Sequence, residues 1–273
     1  MKKPPNHLED FYSNWYEKSK EQVEYEINVC KEKSATACKL LDKVDVGSIN
    51  SVLEIGCGFG RNLVEIVNYT KASFGLGCDV PKAAIEYAKK YYENDSIKFL
   101  QAESLDIKST VSQIRRIHSE PFDIAILFYV LEHVPKPKTF ISQLAPISKH
   151  FLVILPLDNT IFNNYILPQR MKTYPSSKHP DAHFWEFHVN NVHHFIVSLG
   201  LTPIVYQFNK FSLYDQYPPH LRPSHLKGRI LFECMRVFKY VTGKIMPRRM
   251  FLRLIGGGYF MCLASWSEEF VLE

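Results

Sequence analysis

The fold is decided by the stretch Ser51-Val-Leu-Glu-Ile-Gly-Cys-Gly-Phe-Gly-Arg-Asn62. Its apolar residues Val52, Leu53 and Ile55 are typical of a strand buried on both faces. Glycines follow at alternate positions (Gly56, Gly58 and Gly60), and a helical pattern starts at Asn62. A strand that turns through glycines into a helix brings backbone N–H groups and the positive helix end to one point. We therefore expect a nucleotide-like ligand at this point.

The spacing of the glycines separates two classes of ligand. A dinucleotide site requires Gly-x-Gly-x-x-Gly, but the order here is Glu54-x-Gly56-x-Gly58-x-Gly60, and Arg61 takes the place of the third dinucleotide glycine. The carboxylate of Glu54 would repel a phosphate and attract an amino group or a sulfonium. S-adenosylmethionine carries both of these groups, so the pattern favours it over a pyrophosphate.

This acidic-x-Gly-x-Gly-x-Gly segment resembles the first motif of class I S-adenosylmethionine-dependent methyltransferases, and the resemblance extends over residues 50 to 205. It implies S-adenosylmethionine as the cofactor. It also implies that the ligand binds along the strand end and glycine turn, at Glu54, Gly56, Cys57, Gly58, Gly60 and Asn62. The alternative is that the glycines only make a tight strand-to-helix connection.

A second acidic residue follows the next predicted strand. Residues 72–78 read as that strand, and Asp79 comes directly after it. An acid about 20 residues beyond the glycines can accept hydrogen bonds from both ribose hydroxyls. Residues 82–92 then form a predicted helix with Pro81 at its start.

The segment after the third predicted strand (residues 96–100) bears on adenine recognition. The resemblance implies Asp-Ala here, with the acid bonding the adenine amino group and the next backbone N–H reaching the ring. This sequence has Gln101-Ala102-Glu103 instead. The side-chain carbonyl of Gln101 can accept from the amino group without charge assistance, so the role falls to either Gln101 or Glu103.

The fourth predicted strand, residues 122–128, leads into candidate catalytic residues. In the resembled family its end and the following turn line the floor between cofactor and acceptor, which places Phe128 against the cofactor. His133 is the residue of this turn best able to move a proton near neutral pH, and Tyr129 is a second candidate base. The alternative for His133 is that it only shapes the loop.

We predict no metal in this turn. Small-RNA 2′-O-methyltransferases and some quinone methyltransferases resemble the segment but carry Glu-x-x-Glu-His, whose side chains bind a divalent cation. Tyr129 replaces the first of those glutamates here.

A long loop, residues 157–182, is predicted to follow the fifth strand at residues 151–156. Loops at this edge of a sheet commonly hold substrate. The histidines from His179 to His194 have no thiolate and no fixed ligand quartet beside them, so they do not indicate zinc. His183-Phe-Trp-Glu-Phe187 resembles a family segment ahead of the fifth helix, which implies acceptor contacts for His183 and Trp185.

The 273 residues suit one domain, and the 46% hydrophobic content is enough for a packed core. We expect a doubly wound α/β fold with a mainly parallel seven-stranded sheet and an antiparallel last strand at residues 259–266. A helical cap (1–48) would precede a core made of 49–210 and 257–273, with a basic insertion at 211–256. The cap would contain helices at residues 7–18 and 21–44. A polar amino terminus and the lack of a long apolar run predict a cytoplasmic protein with reduced cysteines.

The insertion contains nine Lys or Arg residues and one acid, Glu233, between positions 222 and 253. Its apolar residues fall near one helical face: Leu226, Ile230, Leu231, Cys234, Phe238 and Val241. Three interpretations are open. The segment could be a lid packed on the domain with its charges in water, a peripheral membrane helix, or a surface for a phosphorylated or nucleic-acid substrate.

We therefore predict a methyltransferase acting on an O, N or C atom of a small-molecule or lipid-like acceptor. One alternative is a non-catalytic or regulatory protein that keeps the fold. Others are a nucleic-acid methyltransferase, which the net charge of +5 does not favour, and a nicotinamide-dependent oxidoreductase, which the missing dinucleotide glycine disfavours.

Overall fold

The computed structural model describes residues 20–102, 107–157, 160, 183–210 and 226–267. The strands of this part of the chain are β1 Ser51–Ile55, β2 Phe74–Asp79, β3 Ile97–Gln101, β4 Phe122–Phe128, β5 Ser148–Pro156, β6 Leu201–Lys210 and β7 Gly258–Trp266. The α-helices are α1 Lys20–Leu41, α2 Arg61–Thr70, α3 Lys82–Tyr92, α4 Ile107–Ile117, α5 Pro137–Leu144, α6 Val192–Ser198, α7 Leu226–Ile245 and α8 Arg248–Leu254.

The strands form one mixed sheet in the order β3-β2-β1-β4-β5-β7-β6. Strands β1 to β5 pair in parallel, whereas β7 runs antiparallel to both of its neighbours. This confirms the predicted doubly wound sheet with its antiparallel last strand. The strand order reverses between β1 and β4, so the carboxyl ends of these strands flank the crevice where ligands of open α/β sheets bind.

Helices cover both faces of the sheet because the central strands are apolar on both sides. Strand β4 is buried along nearly its whole length, as the continuous run of residues 124–128 predicts. Buried side chains of α1, α2 and α3 pack on one face, and those of α4, α5, α6 and α8 pack on the other. The predicted elements thus occur in order, and most of their ends shift by one to three residues.

Two of these shifts have a tertiary cause. Strand β5 begins at Ser148 and not at Phe151, because Ser148 and His150 pair with Phe122 and Ile124 of β4. Strand β6, predicted at residues 202–208, extends to Lys210 because β7 continues to pair with it as far as Gly258. Of the two predicted cap helices, the second is α1 and the first lies outside the described residues.

The orientation of α7 shows which side of the basic insertion is exposed. An apolar stripe on this helix is exposed, and we call it the outward stripe: Leu226, Ile230, Val237, Val241 and Ile245, each between 47% and 74% accessible. The opposite side of α7 is the half-buried one, at Phe232, Met235, Thr242 and Gly243. The predicted apolar face of this helix is therefore the exposed one, and its role as a lid stays a prediction. No α-helix of the described residues is long and apolar enough to span a bilayer.

Candidate functional site

The candidate site lies at the carboxyl edge of the sheet, where the turns after β1 and β4 meet. A Cβ atom added to Gly56 would lie 2.7 Å from Val130 Cγ2, so these two turns are in close contact. Gly56, Gly58 and Gly60 all have positive φ angles, of 76°, 51° and 79°. Glycine is the residue that adopts this backbone without strain, and its lack of a side chain permits the approach of Val130.

The glycine turn uses several of its N–H groups within the protein. Gly56 and Cys57 both donate to the carbonyl of Cys78, at 2.8 and 3.1 Å, and Gly60 donates to the carbonyl of Cys57 at 2.8 Å. The expectation that the turn directs its amides at a ligand is therefore wrong for these three. The turn contributes mainly a side-chain-free surface to the site.

Glu54 lies beneath this turn with no solvent exposure. Its carboxylate accepts hydrogen bonds from Asn62 Nδ2 at 3.1 Å and from the Leu63 amide at 2.9 Å. Burial raises the pKa of Glu54 to about 8, although both of these bonds act to lower it. Glu54 thus fixes the first turn of α2 to the end of β1, and a direct contact with the ligand stays a prediction.

The Asn62 amide extends this buried chain to α1. Its Oδ1 atom accepts a hydrogen bond from the Ser34 hydroxyl at 3.0 Å, and Ser34 is fully buried. In addition, Lys33 Nζ lies 4.2 Å from the centre of the Tyr129 ring. Sequence reasoning missed both contacts because residues 33 and 34 carry no motif, and their partners follow β1 and β4.

Asp79 is half-buried at the end of β2 and faces the glycine turn. Its Oδ2 atom accepts the Gly58 amide at 2.6 Å, and its Oδ1 atom accepts the Val80 amide at 2.7 Å. Burial raises the pKa of Asp79 to about 6 against the lowering effect of these two bonds. Each oxygen retains a second lone pair, so the carboxylate can still accept two ribose hydroxyls.

The segment after β3 differs from the arrangement that the resemblance implied. The Ala102 amide donates to the carbonyl of Asp79 at 2.8 Å, so it is not directed at an adenine ring. Gln101 is exposed, and its Nε2 atom donates to the carbonyl of Val80 at 3.3 Å. Glu103, the other adenine candidate, lies outside the described residues.

The turn after β4 carries the candidate catalytic residues. Phe128 is buried, while Tyr129 and His133 are half-buried. Tyr129 has a φ angle of 57°, and its amide donates to the carbonyl of Ile154 on β5 at 3.1 Å. Positive φ is uncommon for a bulky residue and directs attention to a functional position.

Residues 183–185 lie against this turn. The Phe184 amide donates to the carbonyl of Glu132 at 2.7 Å, and Trp185 Nε1 donates to the carbonyl of Val134 at 2.9 Å. The rings of His133 and His183 are 4.7 Å apart between centroids. The structure thus brings the predicted base and the predicted acceptor residues together, and the indole N–H of Trp185 serves to hold them there.

Glu132 joins the two histidines in one cluster. Ligand atoms of Glu132, His133 and His183 all lie within 4.8 Å of one another, a grouping that can hold a metal ion. Glu132 has no solvent exposure. The sequence did not predict that His183 joins Glu132 and His133, because 50 residues separate His183 from His133 and no local pattern connects them.

An open pocket of about 480 Å³ lies between the segment before α6 and α8. Its lining is part apolar and part basic: Val189, Asn190, Arg249, Met250, Arg253 and Leu254. Helix α8 leads into β7, whose first residue, Gly258, pairs with Lys210 at the end of β6. The α8 side of the pocket therefore lies near the carboxyl edge.

The fold is that of class I methyltransferases. Residues 53–150 match the family model described as a methyltransferase domain, a range that contains the glycine turn, Asp79 and the turn after β4. The matched residues thus resemble a methyltransferase domain, and the sheet has the fold of structures solved with bound S-adenosylhomocysteine. None of the curated proteins matches its sequence.

Solved structures share the fold at low identity. A magnesium protoporphyrin IX methyltransferase from Synechocystis PCC 6803 with bound S-adenosylhomocysteine has a TM-score of 0.53 and 11% identity, over 96% of this chain and 97% of that one. The plantazolicin methyltransferase BpumL, in complex with a substrate analogue and S-adenosylhomocysteine, has a TM-score of 0.51 and 14% identity, over 96% and 91%. A methyltransferase from Thiobacillus denitrificans with S-adenosylhomocysteine has a TM-score of 0.50 and 16% identity, over 86% and 91%.

Proposed function

We propose that this protein is an S-adenosylmethionine-dependent methyltransferase that acts on an O, N or C atom of a small-molecule or lipid-like acceptor, which enters over the turn after β4. The observation that carries the proposal is the juxtaposition of the glycine turn with Val130 and with Asp79 at the strand-order reversal. S-adenosylmethionine, when bound, supplies a methyl group on a positively charged sulfur. The methyl group is therefore already activated. The main task of the protein is to hold and orient the cofactor and the acceptor.

The residues divide this work between them. Asp79 accepts the ribose hydroxyls, and the glycine turn leaves room for the ligand to lie against the backbone. Phe128 and the backbone around Ala102 border the same crevice. Glu54 and Asn62 keep the turn in place from below through their hydrogen bonds to α2 and Ser34.

The acceptor side is formed by Tyr129, His133, His183 and Trp185. Aligning a nucleophile with the methyl group can contribute about 7–11 kcal/mol to catalysis through orientation alone. His133 or Tyr129 serves as a base when the acceptor must lose a proton as it reacts. Tethering of residues 184 and 185 to the turn preserves this alignment.

The pocket beside α8 supports a small acceptor. Its volume of about 480 Å³ falls in the range of ordinary small-molecule sites, and its mixture of apolar side chains with two arginines suits an acceptor that has an apolar body and an anionic group. The named relatives act on a porphyrin and on plantazolicin. Acceptors that differ so much indicate that the shared fold leaves this choice to the loops and insertions.

The outward stripe of α7 favours a lipid surface as the place where the acceptor is met. Eight Lys or Arg residues and one acid lie between positions 226 and 254. Exposed aliphatic side chains beside cations are the composition of helices that lie in the plane of an anionic membrane. We propose a cytoplasmic protein that attaches peripherally to anionic bilayers through α7 and α8.

Calorimetric titration of the ligand-free protein with S-adenosylhomocysteine, with NADH as the control, tests the cofactor assignment. We expect micromolar binding of the first and none of the second. Absence of binding to both would favour a non-catalytic protein that keeps the fold, and binding of NADH would favour an oxidoreductase.

Vesicle co-sedimentation tests the membrane assignment. At low salt we expect binding to vesicles with phosphatidylserine, little binding to pure phosphatidylcholine, and release at high salt. The double variant Ile230→Asp/Val237→Asp should bind at least about tenfold more weakly, since burial of each aliphatic side chain contributes about 1.5–3 kcal/mol. Ile117→Asp, an exposed isoleucine at the end of α4, is the matched control. Equal binding by both variants would refute the role of the outward stripe.

A further inference from the structure

The geometry points to a divalent cation site formed by Glu132, His133 and His183, suited to a zinc-class ion. Two imidazoles and one carboxylate are a donor set that binds zinc with one position left open for a water or substrate oxygen. Their ligand atoms already lie within 4.8 Å of one another. The sequence predicted no metal, because the spacing of residues 129–133 lacks the first glutamate and cannot show that His183 joins them.

The distances suit a cation after a small adjustment. Around a tetrahedral zinc ion with bonds of about 2.0–2.1 Å, neighbouring ligand atoms lie about 3.3 Å apart. The described cluster therefore has to contract by about 1.5 Å or less, which rotation of the two half-buried imidazoles can supply. Glu132 lies in the interior with no exposure and would provide the fixed ligand.

The backbone around the cluster is held in place by a network that is independent of a metal. Glu132 and His133 lie in one helical turn, residues 131–133, which follows β4 directly. His183 is fixed next to them by the hydrogen bonds from Phe184 to the Glu132 carbonyl and from Trp185 to the Val134 carbonyl. Hydrogen bonds of this kind hold the ligand side chains of a metal site close together.

The charge of a divalent cation is compatible with the buried position of Glu132. A cation in contact with a buried carboxylate offsets the cost of ionising it. Sharing of a proton between Glu132 and a histidine would also offset it. That arrangement binds no metal, so a metal titration separates the two.

The role that we give to the cation rests on the proposed function, whereas the binding of the cation does not. A cation at the end of β4 would face the acceptor side of the crevice and bind an acceptor through a hydroxyl or carboxylate oxygen, lowering the pKa of a hydroxyl so that its proton passes to solvent. His133 would then be a ligand and not a base. The acceptors favoured are those with an oxygen next to the atom that is methylated.

The test is a zinc titration of untagged, chelator-treated protein against a chromophoric zinc indicator. Cys234→Ser is the background, since Cys234 is an exposed thiol that could bind zinc elsewhere. We expect one equivalent of Zn²⁺ to bind. His183→Ala and Glu132→Gln should each weaken binding by at least about tenfold, the lower bound seen even for changes next to metal ligands. His194→Ala, an exposed histidine on α6, should have no effect.

Cobalt substitution gives a second readout. Co²⁺ in the same protein should show visible absorption of a four- or five-coordinate nitrogen and oxygen site, and His183→Ala should lose it. Equal zinc affinity in the parent and in His183→Ala, or no bound equivalent, would overturn the inference. S-adenosylhomocysteine binding measured on the same samples reports folding, and it also separates failure of the metal site from failure of the proposed function.

Discussion

The raised pKa of Asp79 makes cofactor affinity depend on pH in the mildly acidic range. Only the carboxylate form can accept a hydroxyl hydrogen bond at both oxygens, because its other lone pairs are used by the amides of Gly58 and Val80. With a pKa of about 6 in the ligand-free protein, about nine-tenths of Asp79 is ionised at pH 7 and about one-tenth at pH 5. The Kd for S-adenosylhomocysteine should therefore rise about tenfold between these values, or about 1.4 kcal/mol.

Asp79→Asn isolates this contribution. Asparagine has the same shape, but it has a single acceptor oxygen for two backbone amides and two hydroxyls. Hydrogen bonds to charged groups contribute about 1.5–3 kcal/mol each, so the variant should bind about 10- to 100-fold more weakly at pH 7. Its affinity should lose the dependence that Asp79 causes between pH 5 and 7.

Isothermal titration calorimetry at pH 5, 6 and 7 measures both variants. The difference between their pH profiles removes contributions from histidines, which titrate in the same range. If the parent protein binds equally well at pH 5 and 7, or if Asp79→Asn shows the same slope as the parent, the assignment of Asp79 to the ribose is refuted.

Three further predictions concern stability. The pKa of Glu54 is about 8 in the folded protein against an ordinary 4.5, so its contribution to the unfolding free energy is complete below pH 4.5 and is lost as pH rises to 8. Glu54→Gln should therefore remove a downward slope of at most about 1.4 kcal/mol per pH unit between about pH 4.5 and 8. Gly60→Ala should destabilise the protein by about 1–3 kcal/mol in urea unfolding, because φ is positive and the new Cβ would lie 2.6 Å from the Phe99 ring. Trp185→Phe should cost about 1 kcal/mol by removing the hydrogen bond to Val134 while keeping an aromatic ring.

Each of these has an outcome that would contradict it. An unchanged pH slope in Glu54→Gln would mean that Glu54 is ionised at neutral pH. A Gly60→Ala protein as stable as the parent would mean that the turn can relax around a side chain, and Gly243→Ala, whose added Cβ would have ordinary contacts of 3.5 Å or more, is its control. An unfolding midpoint unaffected by Trp185→Phe would show that residues 183–185 are held by their backbone bonds alone.

The parts of the site that the sequence could predict are local ones. A glycine turn and an acid at the end of a strand are determined by residues within one strand-turn-helix unit, and parallel pairing brings the ends of such units to one edge. Strand β4 and helix α3 occur at the predicted bounds for the same reason, since their patterns are uninterrupted. Local sequence patterns were therefore enough to predict the fold and the position of the crevice.

Features that depend on distant residues could not be predicted. The Ser34 hydroxyl meets Asn62, and His183 meets Glu132 and His133, because tertiary packing brings together segments that share no pattern. The direction of α7 is a similar case: periodicity identifies an apolar face but cannot say whether that face turns inward or outward. Glu54 was predicted at the end of β1 from the local pattern, whereas the burial that raises its pKa could be found only from the structure.

The position of β7 in the sheet determines when the sheet can be completed during synthesis. It lies between β5 and β6, so β5 has an unpaired edge from the time residue 156 is made until residue 266 is available. At about 5–20 residues per second, those 110 residues take the ribosome roughly 5–20 s. During that interval the nascent chain presents an apolar strand edge to other chains, which makes it a substrate for chaperones and makes truncation before residue 258 a route to aggregation.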